Sequence, residues 1–214
     1  MNQIHVSISP GNSKTGHLVP SVSLPQGVFC PQDAPCFYEG TCYVKNIDWR
    51  PNVADAYERN YIILTEDPEQ FWREVDAAIK MNFAFRYHVS GEIPDKEYLE
   101  RMIREAEMNP HCKQLVFTKK YDLVNEYFDE HGIESKPSNL QIIFSEWIGY
   151  PMNNPYHFPV ARVLYATDEI TPDMKICGGN CSECVCRNTG CWVLEFGDVI
   201  YLPDHSKKTR RKGK

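Results

Sequence analysis

The chain has 214 residues, is 42 % hydrophobic and 12 % aromatic, and carries a net charge of −6. That length fits one domain, or one domain with a small appendage, and no apolar run approaches the ~18 residues needed to cross a membrane. Six cations, Lys207, Lys208, Arg210, Arg211, Lys212 and Lys214, lie in 206–214 without an acid, which leaves −12 on the rest and argues against a large nucleic-acid surface on the body.

In chain order, 11–16 (GNSKTG) is a loop of small polar residues. In 19–25 (VPSVSLP), Val22 and Leu24 alternate with Ser21 and Ser23, which predicts a short strand. A Pro- and Gly-rich loop follows, carrying Cys30, Cys36 and Cys42 at even C-x5-C-x5-C spacing. A helix is predicted over 67–82, with Asp67 as cap, Pro68 in the first turn and an apolar stripe of Phe71, Val75, Ala78 and Ile79. Residues 83–89 read as a strand, and a second helix opens at Pro94 and Asp95 and runs to 108. Next come a strand over 114–118, a helix over 121–132 ended by Gly132, and strands over 140–145 and 160–166. The strand over 140–145 is nearly all apolar, as a strand covered on both faces should be.

Strand and helix alternate, so the sheet should be largely parallel with right-handed crossovers. Four or five such units predict an α/β fold of partial (open) parallel β/α barrel type, followed by a cysteine-rich C-terminal metal-binding segment. The expected divisions are a barrel over 1–170 with the three-cysteine loop, a cluster-binding segment over 171–205, and a disordered basic tail over 206–214.

That segment holds 177–192, CGGNCSECVCRNTGCW, with Cys177, Cys181, Cys184, Cys186 and Cys191 among turn formers. Thiolates this close converge only where the backbone folds tightly around a soft cation such as zinc or an iron–sulfur cluster. Disulfides are the alternative. Against them stand an odd total of nine cysteines and an N-terminus without a basic segment followed by an apolar run. The chain is therefore expected to be a soluble cytoplasmic protein without a membrane partner. Cys186 is the least certain member of the set, and Cys112 reads as a plain free thiol.

In parallel α/β sheets, function gathers beyond the C-terminal strand ends. There the sequence places the Cys30–Cys42 loop, then His88, Ser90, Gly91 and Glu92, then Lys119 and Lys120, then Glu146 beside Trp147. His88, Glu92, Lys119 and Glu146 are the candidate catalytic groups. The plain alternatives are a buried, hydrogen-bonded His88, a simple turn at Ser90 and Gly91, and solvated lysines.

The motifs GNSKTG, PSVSLP, the Cys30–Cys42 loop ending in CY, FRYHVSGE, FTKKYDL, IIFSEW and a cysteine cluster closing in CW, in that order over about 10–195, resemble the phage "gene product 88" family. That resemblance implies a phage or prophage origin, hence a host-cell cytoplasm, and supplies no activity. A more distant resemblance is to radical S-adenosylmethionine enzymes, which share a partial β/α barrel and a three-cysteine loop after the first strand. It implies a 4Fe–4S cluster on Cys30, Cys36 and Cys42 with one iron open to S-adenosylmethionine. It also implies that Ser90, Gly91 and Glu92 receive the cofactor's amino group. The C-x3-C-x2-C spacing typical of those enzymes occurs here only at Cys177, Cys181 and Cys184, near the other end of the chain.

Two functions follow as expectations. One is an iron–sulfur protein with one or two clusters and radical-SAM-like chemistry on an unknown small-molecule or macromolecular substrate. The other is a non-enzymatic zinc or iron–sulfur protein in host regulation, or in nucleic-acid binding through the basic tail.

Overall fold

The structure is a computed structural model and describes residues 4–12, 15–39, 42, 44 and 50–204. The expected basic tail over 206–214 lies outside the described residues. The strands are β1 (Ser21–Val22), β2 (Ala84–Tyr87), β3 (Lys113–Thr118), β4 (Leu140–Ser145), β5 (Val160–Leu164), β6 (Lys175–Ile176) and β7 (Val199–Pro203). The helices are α1 (Pro35–Tyr38), α2 (Pro51–Glu66), α3 (Pro68–Lys80), α4 (Lys96–Met108), α5 (Tyr121–His131) and α6 (Cys181–Cys186).

All seven strands join one open parallel sheet in the order β1-β2-β3-β4-β5-β7-β6. The first five strands therefore lie side by side in chain order. Successive crossovers of one hand place the connecting helices on one face of such a sheet. The caps work as the sequence predicts: Asp67 accepts from the Gln70 amide at 2.9 Å and Asp95 from the Tyr98 amide at 2.9 Å. Gly132 closes α5 at φ 79°. Three elements depart from expectation. Helix α2 fills a stretch left unassigned, and β6 and β7 extend the sheet beyond the last predicted strand.

Side-chain alternation divides the sheet into two apolar layers. On the helix side, Val22, Phe85, Tyr87, Val116, Ile142 and Phe144 pack with Phe71, Val75, Leu99, Met102, Val124 and Phe128. On the other side, Ala84, Leu115, Ile143, Ala161 and Ile200 pack with Val185, Cys191, Trp192 and Leu194. The cysteine-rich segment is thus the cover of the inner face. No helix among the described residues is long and apolar enough to cross a membrane.

One buried carboxyl sets a pH dependence. Glu105 of α4 is fully buried, and its Oε1 accepts from Arg101 Nε at 3.0 Å. Burial pushes its pKa up to about 7, Arg101 pulls against that, and Asp76 adds to it. A carboxyl raised in the native state contributes stability that is full below its ordinary pKa and is lost as pH rises through the raised value. Glu105→Gln is therefore expected to gain on the wild type by about 1–3 kcal/mol between pH 5 and pH 8, roughly 5 °C in Tm. A difference in Tm that stays flat across that range would show that Glu105 titrates like an exposed acid.

Candidate functional site

Two groups of cysteines occupy two different places. The first lies beyond the C-terminal ends of β1 to β4. The ends of β1 and β2 are laced together: the Leu24 amide donates to Ser90 O at 3.1 Å, and the Ser90 amide to Ser23 Oγ at 3.3 Å. Gly91 turns the chain there at φ 88°, where a Cβ would meet the Leu24 carbonyl oxygen at 2.9 Å. That turn delivers Glu92 to the end of β3. Its two oxygens accept from Thr118 Oγ1 at 2.8 Å and the Lys119 amide at 3.0 Å.

Glu92 is 5 % exposed, and burial raises its pKa against the pull of Lys119. The loop of Cys30, Cys36 and Cys42 sits in the field of the same two residues. Burial pushes the Cys30 thiol up to about 11, the Gly27 amide opposes this, and Glu92 and Cys42 add to it. Cys36 is raised by burial and lowered by Lys119. The Gly27 amide donates to Cys30 Sγ at 3.3 Å, and the Cys42 amide to Cys36 O at 3.1 Å. Lys119 Nζ lies 5.7 Å from the Trp147 ring centre.

Three residues that the sequence reading did not single out complete this edge. Tyr121 opens α5, donates to Ser145 O, and has its pKa raised by burial and by Glu92, Tyr150, Glu146 and Cys36 around it. Tyr150, whose ring lies 5.7 Å from that of Tyr121, donates to Asp33 Oδ1 at 3.3 Å and so fastens the cysteine loop to the segment after β4. A signal existed in the sequence: a tyrosine directly after the strand-end lysines at a helix start.

Two predicted catalytic groups are placed differently from Glu92 and Lys119. His88 stands past the end of β2 at φ 54°, 3 % exposed, with its ring 5.3 Å from that of Tyr98 in α4. Burial pushes its pKa down to about 3, and neither ring nitrogen has a partner among the described residues. It is a neutral histidine on the helix side. Glu146 accepts from Arg162 Nε at 2.6 Å, so its charge is already matched.

The second group covers the inner face. After Gly179 at φ 79°, Asn180 caps α6 by accepting from the Glu183 amide at 3.2 Å. One turn of α6 sets Cys181 and Cys184 three residues apart on one side. With Cys177 and Cys191 they adjoin the same apolar layer, and the charges of Cys177, Cys181 and Cys184 act on Cys191, whose pKa burial raises. The Gly179 amide donates to Cys177 Sγ at 3.4 Å, Arg86 Nη1 to Cys181 Sγ at 3.7 Å, and Trp192 Nε1 to Cys181 O at 3.2 Å. Cys186, at the end of α6, is exposed and stands apart from this group.

Cys112 is buried in the helix-side layer, and burial pushes its pKa up to about 12. All nine cysteines are unpaired. Among the described residues, no three His, Cys, Asp or Glu side chains are drawn together closely enough to hold a metal ion. The chemistry of the donor sets still fits one: soft sulfurs in two groups, with N–H donors aimed at Cys30, Cys177 and Cys181.

Helix α6 is anchored from the far end of the chain. Ser182 Oγ donates to Thr15 O at 2.9 Å, the Ser182 amide to the same oxygen at 3.0 Å, and the Leu18 amide to Ser182 Oγ at 3.0 Å. Thr15 and Leu18 are therefore the seat of the C-terminal cysteine segment.

No curated protein and no solved structure matches the chain. The family described as Gene product 88 matches residues 6–148. The match takes in β1 to β4, the three-cysteine loop and Glu92, Lys119 and Glu146. It ends before the C-terminal cysteines, short of the expected limit near 195. Covering well over half of the 214 residues, it shows that the chain belongs to the Gene product 88 family of phage proteins.

Proposed function

We propose that the protein is an iron–sulfur protein with two centres of different character, built on an open β/α half-barrel. One observation carries this: the thiols fall into two separate sets, three at the strand ends beside a buried acid and a lysine, and four against the apolar inner face. Cys30, Cys36 and Cys42 would hold a cluster with one position free for a ligand. Cys177, Cys181, Cys184 and Cys191 would hold a closed centre with a structural role. Cys186 is left out of both.

A cluster with an open iron supplies an electron to a molecule bound beside it. The chain's own residues would do the rest. Lys119 attracts the anionic end of a ligand, and Trp147 walls the same space. Glu92 first ties the ends of β2 and β3 together. Its remaining lone pairs are what a ligand ammonium group, such as that of S-adenosylmethionine, would use. The bonds from Thr118 and Lys119 already occupy one lone pair on each oxygen of Glu92.

The experiment is anaerobic expression with iron and sulfide supplied, followed by absorption spectroscopy and iron, zinc and sulfide analysis. The expected protein is brown, with sulfur-to-iron charge-transfer bands and acid-labile sulfide. A colourless protein with stoichiometric zinc and no iron would replace this reading with a zinc protein. Added S-adenosylmethionine should bind the wild type and bind Glu92→Gln at least about tenfold more weakly with iron unchanged. No binding to a fully loaded wild type removes the enzyme reading and leaves the iron–sulfur one.

A further inference from the structure

Strand β2 places a cation where the sheet offers no acid. Alternation turns Ala84 and Arg86 toward the inner face and Phe85 and Tyr87 toward the helices. Arg86 is in register with Leu115, in a layer that is otherwise apolar. Its guanidinium lies 4.9 Å from the Phe117 ring centre. None of the ion pairs among the described residues includes Arg86, and its Nε is buried without a partner. Among the described residues its one polar side-chain contact is Nη1 to Cys181 Sγ at 3.7 Å, and its charge also acts on Cys191.

Arg86 is only partly buried, but its Nε is shut away from solvent without a partner, and a guanidinium held in that way favours an anion beside it. Four neutral thiols do not supply one. Four thiolates on zinc or an iron–sulfur cluster do, because such a centre keeps net negative charge after the metal is counted. The same reasoning applies from the other side: a half-buried anionic centre favours a cation beside it, and among the described residues Arg86 is the cation hydrogen-bonded to this thiol set.

We propose that Arg86 is the charge partner of the C-terminal centre, and that it sets the centre's reduction equilibrium by stabilising the form with more negative charge. The proposal rests on the reading of Cys177, Cys181, Cys184 and Cys191 as one metal-binding set. Arg86 acts through those sulfurs and is a positioning residue. Phe117 holds the flat face of its guanidinium, which leaves an edge N–H for Cys181.

The test compares wild type, Arg86→Met and Arg86→Lys, all prepared anaerobically and titrated with dithionite while the absorption and electron paramagnetic resonance signals are followed. Arg86→Met should shift the C-terminal centre at least about tenfold toward the oxidised form, 59 mV for one electron. Arg86→Lys should remain within about threefold of wild type, and the N-terminal centre should not move in either variant. An unchanged equilibrium in an iron-loaded Arg86→Met overturns the proposal, as does an equal shift in Arg86→Lys, which would trace the effect to shape. Should Arg86→Met fail to retain iron, Arg86→Gln keeps an N–H near Cys181 without the charge and must show the same shift. If wild type holds zinc, competition with a chromophoric chelator replaces the titration: about tenfold weaker zinc binding for Arg86→Met supports the assignment, and equal binding overturns it. A wild type holding neither metal refutes the four-cysteine reading itself, before any variant is compared, and the Arg86 assignment falls with it.

Discussion

Cys181→Ser is expected to lose the C-terminal metal and to lower Tm by about 10 °C or more, whereas Cys36→Ser should lose only part of the iron and keep the fold. Cys181 lies within the layer that covers the inner face, and its carbonyl accepts from the Trp192 indole at 3.2 Å. Metal-ligand energy in such a position is folding energy. Losing even ~3 kcal/mol of it corresponds to about 6–12 °C in a chain of this size. Cys36 instead sits in the short helix α1 beyond the strand ends and is only partly buried. Any cleavage of S-adenosylmethionine should vanish in Cys36→Ser. Iron per chain and Tm for each variant decide the matter. Equal iron loss from both would mean that the two sets share one cluster.

Gly16→Ala is expected to undo the docking of α6, at a cost of about 3–5 kcal/mol, near 10 °C in Tm. Gly16 has φ 73°, and a Cβ there would lie 2.1 Å from Ser182 Oγ and 2.4 Å from Ser182 Cβ. Neither end can yield cheaply, since moving Ser182 breaks its three hydrogen bonds to Thr15 and Leu18. Gly149→Ala is the control: φ is 80°, but nothing lies within 4 Å of its Cβ position. That variant carries left-handed strain alone, about 1 kcal/mol. Thermal melts of the two variants side by side are the measurement. Equal losses would show that the loop gives way without disturbing α6.

Much of the sheet was legible because its signals are local. Asp67 and Asp95 cap through their own side chains, and Phe85 and Tyr87 alternate with Ala84 and Arg86 by strand geometry. Helix α2 was not legible in the same way. It buries only Asn60 and Ile63 fully, so its apolar stripe is weak, and Pro51 at its start was the remaining cue. Asn60 is instead used for its amide, which donates to Ser7 O and Ser23 O and accepts from the Ser7 amide.

Strand β6 is two residues long, and its place at the edge depends on β7, which follows it in sequence. His88 was expected at the strand-end site because β2 was read through Val89. The strand stops at Tyr87, and a left-handed residue turns the imidazole under Tyr98. The strand-end position of Glu92 and Lys119 was readable from order alone. That Tyr150 reaches back to Asp33 was not, because 117 residues separate them.

The anchoring of Ser182 to Thr15 spans 167 residues and has a consequence for how the molecule is made. During synthesis, β1 to β4 and their helices can form while the inner face is still bare, because its cover follows them in the chain. At a few to about twenty residues per second, that exposure lasts for seconds. The parallel pairing of β5 with β7, which is separated from it in sequence by the edge strand β6, lengthens it, since non-local parallel contacts close slowly. A chain cut short before Cys177 would present an apolar sheet face with no partner of its own. Closure of the inner face is therefore a late step, and truncated or stalled chains carry an aggregation-prone surface that the finished protein hides.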